Sequence, residues 1–179
     1  SGAASIYVVC SDSRMDVLQA LMSGPAGTPY SFGLFLFDIF LPGDYPSSPP
    51  LVSLRTTGGG KVRFNPNLYA NGKVCLSLLN TWAGPSWEPG RSTLLQVLLS
   101  IQSLILVPDP YFNEPGFGAL RGTRMGQESS DAYNATIREA SLKNAMLDMA
   151  LFPPPMFEEV CALHFQLLAA PILRGLPAW

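Results

Sequence analysis

Charge is scarce in this chain. Only 13% of its 179 residues are Asp, Glu, Lys or Arg, and the balance is −2 with a pI near 5.3. A nucleic-acid partner needs a basic surface to displace phosphate counterions, so that class is not expected. Histidine is scarcer still, with His164 alone. Cysteine hydrolases pair their thiol with an imidazole, and this one falls in a C-terminal helical stretch, which leaves a hydrolase poorly supported. Cysteine occurs three times, at Cys10, Cys75 and Cys161. An odd number at unrelated spacings fits neither a disulfide framework nor a metal cluster, and a reducing, cytoplasmic setting is the natural reading. The longest apolar run, 94–107, is too short for a bilayer and is broken by Gln96, Ser100, Gln102 and Ser103, so no membrane insertion is expected. No signal peptide and no internal repeat is visible.

What the chain does have is apolar content, 47% of its residues, enough for one compact soluble domain with a real core. Residues 5–10 and 16–22 read as strands joined by a polar turn, and 30–41 as a third strand, apolar almost throughout and therefore covered on both faces. The proline-rich 41–50, LPGDYPSSPP, cannot join a ladder, and 51–54 supplies a fourth strand. Residues 94–107 read as an apolar helix with Gln96, Ser100 and Ser103 on one narrow stripe and Ser92 or Thr93 as its cap. The polar, glycine-bearing 118–130 shows no periodicity and receives no secondary structure. Tyr133, Ile137, Ala140 and Leu147 fall at helical spacing in 131–149. A last helix starts after Pro153-Pro154-Pro155, with Glu158 and Glu159 near its positive end and a stripe of Phe157, Val160, Cys161, His164 and Leu168. Cys10 and Cys161 read as core residues and His164 as a packing histidine. The domain is expected over 5–170, with a tail at 171–179.

The stretch that organises the rest is 64–79, FNPNLYANGKVCLSLL. Asn71-Gly72 marks a tight turn, and Cys75 follows three residues later on a strand-like segment, where it is expected to be displayed. A reactive thiol needs access and its thiolate form, and the amides of Asn65, Asn67 and Asn71 offer hydrogen-bond donors without an imidazole. On residue type alone Cys75 is a small hydrophobe or a nucleophile, and Asn67 a turn residue or a donor.

Asn65-Pro66-Asn67 followed by Gly72-Lys73-Val74-Cys75-Leu76 resembles the active-site segment of ubiquitin-conjugating enzymes, in which the usual motif is His-Pro-Asn with the cysteine eight residues beyond the Asn. Tyr45-Pro46 with Pro49-Pro50 and LLSIQSL match further motifs in order, and the aromatic loop that carries Trp82 and Trp87 is expected to pack over the active site. TTGGGKVRFNPNLY, LSLLNTW and PYFNEPGF are most similar to the giant conjugating enzymes linked to inhibitor-of-apoptosis proteins, which share Asn at the position of Asn65 and carry an implied link to apoptosis regulation. The resemblance implies an α+β fold, a four-stranded antiparallel meander with a central helix and C-terminal helices. It implies Cys75 as the thioester-forming residue, Asn67 as oxyanion donor or loop organiser, and Glu114 at the place of the family's usual Asp, orienting and deprotonating an incoming lysine. The implied partners are ubiquitin, the ubiquitin-activating enzyme and protein substrates. No metal or small cofactor is implied, since ATP is used by the activating enzyme.

The chain departs from the family's pattern in two places. The family's N-terminal basic helix finds no counterpart in the few residues before 5–10, so docking of the activating enzyme is expected to be weaker, with Tyr7 and Leu18 candidates for uncovered surface. Ser47 and Glu88-Pro89-Gly90 replace the apolar anchors used by RING-type ligases, which implies reliance on elements in cis of a larger chain. A transferase is the reading adopted. The alternative is a non-catalytic ubiquitin-binding variant of the same fold, disfavoured because such variants lack the cysteine.

Overall fold

The computed structural model describes residues 4–175. Four strands, β1 (Ile6–Cys10), β2 (Val17–Ser23), β3 (Leu34–Phe40) and β4 (Leu51–Leu54), pair antiparallel in chain order, forming the expected meander. Register follows the two-residue period of side chains. Met22 lies opposite Ile6 and Phe35, whereas Leu21 lies opposite Tyr7 and Leu36. One face carries Ala20, Met22, Phe35, Phe37 and Ile39 into the larger core, and the other carries Leu21, Leu34 and Leu36 into a second, smaller one. β3 reads as continuously apolar because both of its faces are covered. Its expected first residues, from Tyr30, are instead a turn with Phe32 at φ 66°. That turn sits close under β2, where a Cβ on Gly24 would come within 1.8 Å of the Tyr30 carbonyl oxygen, so only glycine fits.

The larger core is closed by α1 (Leu94–Ser100), which continues as a wider π-type turn over Ile101–Ile105. Thr93 is the cap: its hydroxyl accepts from the Gln96 N–H, and the Gln96 side chain accepts from the Thr93 N–H. Val97, Leu98, Ile101 and Ile105 face the sheet. The outer side is less polar than the stripe of Gln96, Ser100 and Ser103 suggests, because Leu95, Leu99 and Leu104 are exposed there as well.

The segment 118–130 is not structureless. After a short 3₁₀ turn, α2 (Arg124–Ala140) begins with Thr123 accepting from the Gly126 N–H, and pairs four residues apart, Arg124 with Glu128 and Gln127 with Asp131, support its first turns. The side chains buried in its first half are polar, with Ser130 bonded to Asp109 and Asn134 to the Pro108 carbonyl, and Ile137 further on enters the larger core. A second π-type stretch, Ser141–Leu147, leads into α3 (Asp148–Leu151). The wider turn rotates the stripe, burying Ser141, Ala145 and Met146 and leaving Leu147 outside.

α4 (Glu158–Gly175) covers the second sheet face through Phe157 just before it and Cys161 within it. It runs through Pro171, so the segment read as a tail starts inside a helix; its residues 176–179 lie outside the described residues. With the turn before it, this helix is long and apolar enough to cross a membrane by length and composition alone, unlike the shorter apolar helix that starts at Leu94. Cys161 is buried and its thiol pushed up by desolvation, as a core residue's would be. Cys10, expected in the core, is exposed at the end of edge strand β1. The ring of His164 is half-buried, bonds the Phe32 carbonyl at 2.9 Å, and is held below the ordinary histidine value by desolvation.

Candidate active site

The chain between β4 and α1 is folded by its own turns onto the end of the sheet. Gly72 at φ 89° is the pivot: a Cβ there would meet Ser53 Oγ at 2.6 Å, and its carbonyl accepts from the Leu54 N–H. Isolated bridges then pair Lys73 with Ser53 and Val74 with Leu68. Cys75 lies just past these bridges and is not on a strand. Nor is it displayed, since the residue is only 2% exposed. The covering segment comes back from 76–82, where Thr81 accepts from the Leu76 N–H and donates to the Val74 carbonyl.

Asn67 and Cys75 are tied to each other twice. The Cys75 N–H donates to the Asn67 carbonyl at 2.8 Å, and the Asn67 side-chain amide donates to the Cys75 carbonyl at 2.9 Å. Asn65, fully buried, organises the strand of chain beneath them. Its NH2 donates to Ile105 O and to the Tyr30 hydroxyl, and its oxygen accepts from the Asn67 N–H. The Tyr30 hydroxyl donates in turn to the Phe64 carbonyl, and burial raises this phenol well above the usual tyrosine range. The end of the π-type turn supplies two carbonyls that no further helical turn can satisfy. Asn65 takes Ile105 O, and Asn113 takes Leu104 O at 3.0 Å.

A cavity of about 250 Å³ opens beside the sulfur, lined by Asn67, Cys75, Ser77, Trp82, Leu104 and Asn113. The loop after Cys75 therefore does pack over the site through Trp82. Its anchor is Trp87, whose indole N–H donates to the Pro46 carbonyl beside the cis Tyr45–Pro46 bond and whose ring meets Tyr45. Asn71, the third amide of the rim, stays in its turn and accepts from the Lys73 N–H.

The structure brings Cys75 and Asn67 together but does not bring Glu114 to them. Glu114 faces Arg63 at 3.3 Å in a separate cavity shared with Tyr111 and Tyr133. There the Tyr133 phenol is pushed up to about 12, mainly by burial. Its neighbour Asn113 takes the place at the Cys75 cavity, because the 3₁₀ turn Pro110–Asn113 sets consecutive side chains on different sides. Asn113 stood beside Glu114 in the motif, whereas Tyr30 and Thr81 carried no signal in sequence. Among the described residues no group of three His, Cys, Asp or Glu could hold a metal ion.

Chemically, the cavity offers one thiol, a neighbouring amide whose second N–H can still donate, and polar groups that could orient a neutral amine. Several proteins similar in sequence carry the names of conjugating enzymes. The chain is 53% identical over 182 residues to the human (Homo sapiens) dual E2 ubiquitin-conjugating enzyme/E3 ubiquitin-protein ligase BIRC6, a match covering 100% of this chain and 4% of that protein. It is 51% identical to the probable ubiquitin-conjugating enzyme protein 17 of Caenorhabditis elegans, over 98% of this chain and 24% of the relative. It is 47% identical to the putative ubiquitin-conjugating enzyme E2 38 of Arabidopsis thaliana, over 98% of this chain and 53% of the relative. The chain thus spans from a small fraction to about half of the relatives it matches. The family model for ubiquitin-conjugating enzyme matches residues 2–140, well over half of the chain, and this protein belongs to the ubiquitin-conjugating enzyme family.

Proposed function

We propose that Cys75 carries ubiquitin as a thioester and passes it to a substrate lysine, with Asn67 serving both steps. The Cys75 thiolate attacks the carbonyl of ubiquitin's C-terminal thioester on the activating enzyme, whose own thiolate leaves. A neutral lysine amine then attacks the new thioester, its nitrogen gives up a proton to solvent, and collapse of the tetrahedral intermediate expels the Cys75 thiolate and leaves an isopeptide bond. The observation that carries this reading is the doubly bonded Asn67–Cys75 pair at the wall of an open cavity. One amide hydrogen of Asn67 holds the Cys75 carbonyl and the other remains for the developing oxyanion, so loop order and charge stabilisation belong to one side chain. Asn113 stands at the cavity to orient the incoming amine. Glu114, tied to Arg63, is left without contact to the thiol, and the catalytic role implied for it by resemblance is not carried forward.

Ubiquitin, the activating enzyme and protein substrates are the partners of this reaction, in a cytoplasmic setting where the thiol stays reduced. Relatives named as dual conjugating enzyme and ligase suggest that the same chemistry operates here alongside ligase elements in cis. The exposed Ser47 and Glu88, which give a RING domain no apolar anchor, support that reading.

The test is to incubate the chain with activating enzyme, ATP and ubiquitin. An adduct that reductant removes is expected on the native chain, a reductant-resistant, base-labile ester on Cys75→Ser, and no adduct on Cys75→Ala. An adduct mapped to Cys10 or Cys161 would overturn the assignment.

A further inference from the structure

A cavity of about 550 Å³, wider than the one at Cys75, lies between the loop after β4 and the junction of α3 and α4. Leu36 and Met149, both buried, form part of its lining. One rim is the turn at 57–61, Thr-Gly-Gly-Gly-Lys. Its N–H groups at Gly60, Lys61 and Val62 all bond back to Thr57, and none of these bonds uses the N–H of Gly58 or Gly59. Gly58 has φ 59°, and a Cβ there would meet Asn144 Oδ1 at 2.7 Å, so the glycine lets the turn close against the helical side of the cavity. The other rim is Phe152, 77% exposed, followed by the proline run.

The charge at this cavity has the opposite sign to the chain as a whole. Arg55, Lys61 and Lys143 line it against one acid, Asp148. Arg55 is neutralised by Asp38 at 3.3 Å, whereas Lys61 and Lys143 have no carboxylate at ion-pair distance among the described residues. The chain holds only three lysines, and two of them meet here although its net charge is −2. An exposed phenylalanine over an apolar lining, flanked by two uncompensated ammonium groups, is complementary to a ligand that is apolar in one part and anionic in the next.

We propose that this cavity docks an acidic linear segment of a partner protein: an extended peptide that seats an apolar side chain against Leu36, Met149 and Phe152 and sets carboxylates against Lys61 and Lys143. The proline run after Phe152 keeps that rim stiff, which lowers the ordering cost of binding. The inference stands apart from the chemistry at Cys75. Where that chemistry also holds, a segment held here raises the local concentration of a substrate's lysines around the thiol.

The probe is a fluorescein-labelled peptide with one leucine and one phenylalanine ahead of four glutamates, read by anisotropy against the intact chain. A control peptide carries glutamine at the four acidic positions. The glutamate peptide is expected to bind, and to lose about tenfold in affinity on the double variant Lys61→Glu/Lys143→Glu and about threefold on Phe152→Ser. Raising salt from about 50 to about 300 mM should weaken it as well. All three positions are exposed, so the variants are expected to keep their melting temperature and their charging with ubiquitin. If the double variant does not fold, Lys61→Ala/Lys143→Ala is read instead, with about a fivefold loss expected. Equal binding of the glutamine peptide, or unchanged binding to the lysine variants, would overturn the proposal. So would displacement of the glutamate peptide by inorganic phosphate at about its own concentration, which would make this a simple anion site.

Discussion

On one side of the Cys75 cavity, Asn65 is wholly buried and joined by hydrogen bonds to Tyr30, Asn67 and Ile105. On the other side, residues 82–86 are exposed and their loop is tied down through Trp87. The two walls face the same thiol, yet one is fixed by interlocking buried amides and the other by a single aromatic anchor. In the proposed transfer, the fixed wall would hold the groups that must not move while charge develops, and the looser wall would stand where a ubiquitin tail and a lysine enter. Preorganisation and access are thus assigned to opposite sides.

The largest effect should come from breaking the fixed wall at its base. Asn65→Ala leaves the Asn67 N–H buried without a partner and leaves the Ile105 carbonyl with the Val107 N–H as its remaining donor, so urea unfolding should show a loss of about 1–3 kcal/mol and charging with ubiquitin should fall with it. Asn67→Ala, one layer closer to the thiol, should keep most of the stability but slow discharge to lysine by about 100-fold, with a smaller effect on charging. Equal loss in both steps in a single-turnover assay would assign Asn67 to loop order alone.

Changes to the looser wall should be milder. Trp82 is 38% exposed, so Trp82→Ala should cost under about 1 kcal/mol in the same urea titration and act on discharge chiefly through KM for the acceptor. Smallest of all should be Glu114→Gln. Its pair with Arg63 is more than one-third exposed on both sides, and such pairs contribute about 0–1 kcal/mol, so stability and discharge should both stay near the native values. A large loss of discharge in Glu114→Gln would return that residue to the chemistry.

The Asn67–Cys75 relation was legible in sequence because it is local: a glycine turn and a fixed eight-residue spacing bring the two together whatever the rest of the chain does. The burial of Cys75 was not legible, since its cover comes from Thr81 and from the end of α1, and neither contact leaves a mark in the Cys75 segment itself. Which of Asn113 and Glu114 lines the Cys75 cavity is a one-residue question that the 3₁₀ turn decides. The beginning of α2 escaped detection because its buried side chains, Ser130 and Asn134, are polar and bonded to backbone or carboxylate rather than packed as an apolar stripe. Leu147 was misplaced for a related reason, as a 3.6-residue count overruns once a wider turn is inserted. Cys10 was misplaced because an edge strand has a neighbour on one side only, which the alternation of β1 does not reveal.

The π-type turn at the end of α1 can be regarded as one residue too many. Wound as ordinary helix with the same number of residues, the chain after 101–105 would be rotated by about 100° relative to where it now lies. The carbonyls of Leu104 and Ile105 would then point away from Asn113 and Asn65, although no residue that touches the thiol had been altered. The surplus residue thus works as a key cut into the helix, setting the direction of the two carbonyls that hold the amides around the thiol.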